Sequence, residues 1–141
     1  LINEVLGGLR GLKGVHCCGN TDWSVLLSTE INILNFDAYT YGESLGLYPI
    51  ELRAFLDRGG VVAWGIVPSD EIALKKESVL TLLARLRRLL DALAGKGVNR
   101  DLLFAQSLIT PSCGLASLST EGAERALELT AAVSREFRRG L

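Results

Sequence analysis

Apolar residues in this chain recur in two rhythms that alternate along its length. Short runs of apolar and β-branched residues fit strands, and stretches with apolar positions three and four apart fit helices. Leu1, Ile2, Val5, Leu6, Leu9 and Leu12 carry the helical spacing from the first residue. A strand is then predicted over Gly14, Val15, His16, Cys17 and Cys18, followed by a short helix over 22–30 with Asp22 as a candidate cap. The second strand, 31–39, divides its faces: Ile33, Asn35 and Asp37 point one way, Leu34 and Phe36 the other. Loop residues Thr40 and Gly42 lead to a helix that starts near Pro49 and stops at Gly59-Gly60. The third strand, 61–67, is almost wholly apolar, as a parallel strand buried on both faces should be. Pro68-Ser69-Asp70-Glu71 breaks it and opens a long, interrupted helix over 69–94. Leu80, Leu83, Leu86, Leu90 and Leu93 form its predicted apolar stripe, with Arg85, Arg87 and Arg88 on or beside a solvated face. A fourth strand is predicted over 102–109, then a loop holding Cys113, then a helix from Ser119-Thr120-Glu121 toward Arg138.

Strand and helix alternating in this way imply an α/β fold with a parallel sheet and right-handed crossovers. The large solutions are a closed barrel and an open doubly wound sheet. No Gly-x-Gly-x-x-Gly follows any predicted strand, so a dinucleotide-binding sheet loses its usual support. Side chains with chemistry sit where strands end, at His16, Cys18, Asp37 and Cys113. In a (β/α)8 TIM-type barrel that rim is where active sites are assembled. Four βα units are half of such a barrel. A helical phase already running at residue 1, with no leading Met, points to a fragment of a longer chain. The other half-barrel is then expected from the rest of that polypeptide or from self-association through unpaired strand edges.

Composition narrows the chemistry. The 141 residues suit one domain, 1–141, with 48% apolar and 22% charged residues. Net charge is −1 with no basic block, which speaks against a nucleic-acid or anionic-membrane partner. No apolar stretch reaches the roughly 18 residues of a membrane span, and no secretory signal pattern opens the chain. Three cysteines, two of them adjacent, make no disulfide framework and fit a reducing cytoplasm.

His16 and Cys18 are two residues apart, so on a strand they leave the same face, while Cys17 points away as an ordinary buried thiol. Thiolate and imidazole together suit a borderline-soft ion such as Zn2+. Cys113 comes from far along the chain, and a fold that gathers strand ends is needed to join it to the pair. Asp37 is a candidate catalytic carboxylate, able to complete a tetrahedral site or to orient substrate; as a turn residue it would instead bond a loop backbone. Trp64 and Tyr39 are candidates to line a substrate pocket, with core packing as the alternative for each.

Gly-Val-His-Cys-Cys-Gly at 14–19, the Asn-Phe-Asp strand end at 35–37 and Thr-Pro-Ser-Cys-Gly-Leu at 110–115 resemble the C-terminal catalytic barrel of cobalamin-independent methionine synthase and its relatives. The wider superfamily includes corrinoid-dependent thiol methyltransferases and uroporphyrinogen decarboxylase. The resemblance spans essentially the whole chain and implies the C-terminal half of the barrel. It implies zinc held by His16, Cys18, Cys113 and Asp37, a thiol substrate such as homocysteine, and a methyl-folate or methyl-corrinoid donor. Two features depart from the methionine synthase pattern. Asp37 stands where Glu is usual, and Ala63-Trp64-Gly65-Ile66-Val67-Pro68 lacks the Asp-x-His-Ser segment tied to folate protonation. The decarboxylase branch lacks the zinc ligands that His16, Cys18 and Cys113 preserve. The rival reading is a closed structural zinc site, or a non-catalytic binding scaffold.

Overall fold

The computed structural model describes residues 1–140, a mixed α/β chain built on one four-stranded, all-parallel sheet. Strands β1 (Gly14–Cys17), β2 (Ile33–Phe36), β3 (Val61–Val67) and β4 (Ser107–Pro111) lie side by side in the order of the sequence. The helices are α1 (Ile2–Gly7), α2 (Trp23–Leu27), α3 (Ala38–Tyr41), α4 (Pro49–Asp57), α5 (Glu71–Lys76), α6 (Val79–Gly95), α7 (Arg100–Ala105) and α8 (Thr120–Arg138). A 3-10 segment, Gly42–Leu47, joins α3 to α4. No described helix is long and apolar enough to cross a membrane.

Crossovers of one hand between sequential strands bring every connection over the same side of the sheet. Leu34, Phe36, Val62 and Trp64 are buried on that side. Trp23, Phe36 and Trp64 form a continuous aromatic file there, with ring centroids 4.9 and 5.7 Å apart. Both indoles find acceptors: Trp23 Nε1 donates to Ser44 Oγ and Trp64 Nε1 to Ser107 Oγ, each at 2.8 Å. That satisfies the polar end of two large buried side chains. On the opposite face Ile33, Asn35 and Thr110 are half-buried and Leu108 is exposed.

The strand expected over 61–67 is observed at those bounds. Asp22 caps α2 as its position suggested, and the terminal helix expected from Ser119 starts at Thr120 with the Ser119 side chain as its cap. Elsewhere local chemistry redraws the elements. The opening helix ends at Gly7, and only Leu6 of its apolar set is buried. The second strand stops at Phe36, because the Asp37 carboxylate accepts the Thr40 N–H and starts a helix; Thr40 and Gly42 are helical, not loop. The interruption expected within 69–94 falls at Glu77-Ser78. Ser78 and Thr81 form a capping box that restarts the helix as α6 and sets its phase. Leu82, Leu86, Leu89, Leu90 and Leu93 therefore face the core, and Leu80 is 78% exposed. Residues 102–105, expected as strand, are helical: the Asn99 side chain accepts the Leu102 N–H, and Leu102, Leu103 and Phe104 of α7 pack against the core while Ala105 is exposed. The fourth strand begins only at Ser107.

Candidate metal centre

His16 lies on β1 with its ring on the uncovered face, level with Asn35 of β2 and Ala63 of β3. Cys18 follows just past the strand and points the same way by parity. Cys17 takes the other direction, packs partly against the core, and its thiol donates to the Gly19 carbonyl at 3.3 Å. Cys113 sits on the loop that follows β4. Neighbouring parallel strands stand about 4.8 Å apart, so the outer strands of a flat four-stranded sheet would be about 14 Å apart. Yet ligand atoms of His16, Cys18 and Cys113 all lie within 4.8 Å of one another.

Two features close that distance. The sheet curls toward its uncovered face: Asn35 Nδ2 on β2 donates to Thr110 Oγ1 on β4 at 2.8 Å, although β3 lies between them. β3 permits the crossing because it presents only Ala63 and Gly65 beside those residues. The loop after β4 also turns back over the sheet end. Ser112 N donates to the Val67 carbonyl at 2.8 Å, and the buried Ser112 Oγ lies 3.0 Å from Ser69 Oγ. At Gly65 the ladder shifts register, and a Cβ there would overlap the Phe36 carbonyl oxygen and stand 2.8 Å from Ser112 Cα. Glycine is what lets the loop holding Cys113 come this close.

The donor set fits zinc. Bonds near 2.0–2.3 Å at tetrahedral angles put ligand atoms about 3.3–3.8 Å apart, within reach of small side-chain rotations from the observed grouping. All three donors are exposed, and a cavity of about 270 Å³ opens beside them between His16, Asn35, Thr110, Pro111 and Cys113. His16 Nδ1 lies 2.6 Å from Asn35 Oδ1, which leaves Nε2 as the free ring nitrogen.

The other expected residues are placed differently. Asp37 is not among the grouped donors; one carboxylate oxygen holds the first turn of α3 at 2.9 Å from Thr40 N, the turn role its position also allowed. Trp64, a candidate for lining the substrate pocket, is fully buried among the helices on the face away from His16, so it packs the core instead. Tyr39 stacks under the Arg85 guanidinium, 4.3 Å from ring centroid to Cζ, and its hydroxyl donates to Glu77 Oε1 at 2.8 Å. Burial first, then that carboxylate, raises its pKa above the ordinary phenol value.

A larger cavity, about 490 Å³, lies between the 3-10 segment and α6. Size does not make it the better site. Arg85 is committed to Tyr39, and Lys96 Nζ donates to the Gly46 carbonyl at 2.6 Å. No set of metal-capable donors other than His16, Cys18 and Cys113 is grouped among the described residues. Sequence reasoning missed Asn35, Gly65 and Thr110. The parity that put Asn35 on the His16 face was the one available signal. The chain matches no family model, no curated protein and no solved structure.

Proposed function

We propose that this chain carries the metal half of a zinc-dependent methyltransferase, which moves a methyl group from a methyl-folate or methyl-corrinoid donor to a thiol of the homocysteine type. The observation behind it is the meeting of one imidazole and two thiols from the two outer strands within 4.8 Å, beside an open cavity. His16, Cys18 and Cys113 would hold the ion. Three protein donors leave one tetrahedral position, the arrangement of catalytic rather than closed structural zinc. When bound, zinc supplies the positive charge that keeps a substrate thiol, with a free pKa near 8.5, in its nucleophilic form at neutral pH. The chain's own part is to aim the donors, to leave their outer side open, and to admit a sulfur between His16 and Cys113. The substrate sulfur attacks the methyl carbon; the S–C bond forms as the bond to the donor's nitrogen or cobalt breaks, and that electron pair leaves with the donor.

For the architecture we propose a TIM-type barrel of which this is one half. Sequential strand order without reversal, helices on a single side, and a sheet that curls about the unhelical face all favour single winding over the doubly wound alternative. Donors at the carboxyl ends of strands suit the same fold. The remaining strands would come from the rest of a longer polypeptide or from a second copy. Free thiols at all three cysteines suit a reducing compartment such as the cytoplasm.

Elemental analysis after dialysis tests the site: the wild type should hold one zinc, and Cys18→Ser and Cys113→Ser should each lose it. X-ray absorption with and without homocysteine tests the chemistry. An added Zn–S contact on thiol addition supports it, and an unchanged sphere of four protein ligands refutes it in favour of a structural site. Methylation of homocysteine, followed separately with a methyl-folate and a methyl-corrinoid, identifies the donor.

A further inference from the structure

We propose that Asn35 is the positioning residue that presents His16 to the metal: its amide fixes the imidazole in the Nδ1–H form with Nε2 as the ligand, and ties the His16 strand to the strand that leads to Cys113. The inference rests on the metal reading above and adds a residue that holds no metal itself.

The partners of the amide fix which way it faces. Asn35 approaches the Ala63 carbonyl oxygen at 3.0 Å and Thr110 Oγ1 at 2.8 Å. A carbonyl oxygen can only accept, so the atom facing it is the NH2 group, and Oδ1 must face His16. Oδ1 in turn can only accept. The 2.6 Å contact with His16 Nδ1 therefore requires the ring proton on Nδ1. A neutral ring in that tautomer keeps its lone pair on Nε2. Metal-binding histidines commonly have their second nitrogen held in this way by a carboxylate or carbonyl, and loss of that partner typically weakens metal binding about 10–100-fold.

The same amide does a second job. Through His16 it touches β1, its own backbone is in β2, it donates to the Ala63 carbonyl of β3, and it donates to Thr110 of β4. One side chain thus spans the whole sheet on its uncovered face. It holds the ring of the first donor at a set distance from the strand whose end delivers the last. A residue that only filled space between strands would have no need of an acceptor aimed at Nδ1.

Two variants separate tautomer control from strand tying. Asn35→Ala and Asn35→Asp both lose the donations to Ala63 and Thr110, but Asn35→Asp keeps an acceptor for Nδ1–H. Zinc affinity is measured by chelator competition, alongside thermal unfolding of the metal-free proteins. Asn35→Ala should bind zinc about 10–100-fold more weakly than wild type, and Asn35→Asp should restore most of that loss while being destabilised like Asn35→Ala. Equal weakening in the two variants, or none in either, overturns the proposal. Long-range 1H–15N correlation of the His16 ring in zinc-loaded wild type decides the tautomer independently, even where Asn35→Ala fails to fold: zinc on Nε2 supports the inference, zinc on Nδ1 overturns it. Wild type that binds no zinc overturns the metal reading itself and this inference with it.

Discussion

Gly65→Ala tests whether the site depends on a glycine that carries no donor atom. An ideal Cβ at this position would stand 2.8 Å from Ser112 Cα and 3.0 Å from the Pro111 carbonyl oxygen, besides overlapping the Phe36 carbonyl. Carbon pairs sit comfortably at about 3.5–4.0 Å, so the loop must retreat by about 1 Å. All three obstacles are backbone atoms, which cannot swing aside as a side-chain end can. Cys113 is the next residue after Ser112, and metal–ligand distances tolerate only about 0.2 Å. A retreat of that size therefore spoils the thiol's reach toward His16 and Cys18. Overpacking costs about 1–3 kcal/mol, which for a domain of this size lowers the melting temperature by roughly 3–10 °C. The measurements are zinc content after dialysis, chelator competition and thermal unfolding. Gly14→Ala is the control, on the same strand as His16, because its Cβ would meet Ile33 Cβ at an ordinary 3.6 Å. The variant should lose at least about 10-fold in zinc affinity while the control keeps it. Wild-type affinity and melting temperature in Gly65→Ala would show that the loop does not approach as described.

Three further outcomes are expected. Leu82→Ala, at a fully buried position of α6, should cost about 2–5 kcal/mol, whereas Leu80→Ala at an exposed one should stay within about 0.5 kcal/mol in denaturant unfolding; the reverse order would mean the helix phase is wrong. Asp37→Ala should cost about 0.5–2 kcal/mol as a lost helix cap yet retain full zinc, and loss of the metal would make the carboxylate a ligand after all. The Glu71 carboxyl accepts the Ser119 hydroxyl and then its backbone N–H, with Lys75 nearby, and these hold its pKa below the ordinary carboxylate value. A lowered folded value stabilises above the ordinary range and is lost as pH falls through it, so the melting-temperature gap between wild type and Glu71→Gln should be open near neutral pH and close as pH falls below the ordinary carboxylate range; a gap independent of pH would sink this.

Much of the frame was legible because it follows from local chemistry. The apolar block Val61 to Val67 flanked by Gly60 and Pro68 reads as a buried parallel strand, and it is one. Asp22 and Ser119 are short acceptors before apolar or helical runs, and their side chains cap the helices. His16 and Cys18 share a face because strand periodicity leaves no alternative. Where apolar runs are short, periodicity cannot separate strand from helix; residues 102–105 go to the helix because Asn99 supplies a cap. Leu80 leaves the predicted stripe because helix phase depends on where Ser78 restarts α6, a matter of one capping box rather than of leucine spacing.

The identity of the donors, their softness and their position at strand ends were written in residue order alone, since valence and alternation are properties of neighbours. That His16, Cys18 and Cys113 meet was decided only by the folded sheet. Curvature across four strands, a glycine clearing the way for a loop, and an amide reaching from β2 to β4 are contacts between residues far apart in sequence. The tertiary structure likewise sent Trp64 to the core, because which face of a strand is covered depends on where the crossovers run, whereas Asp37 went to a helix end through a contact only three residues along the chain.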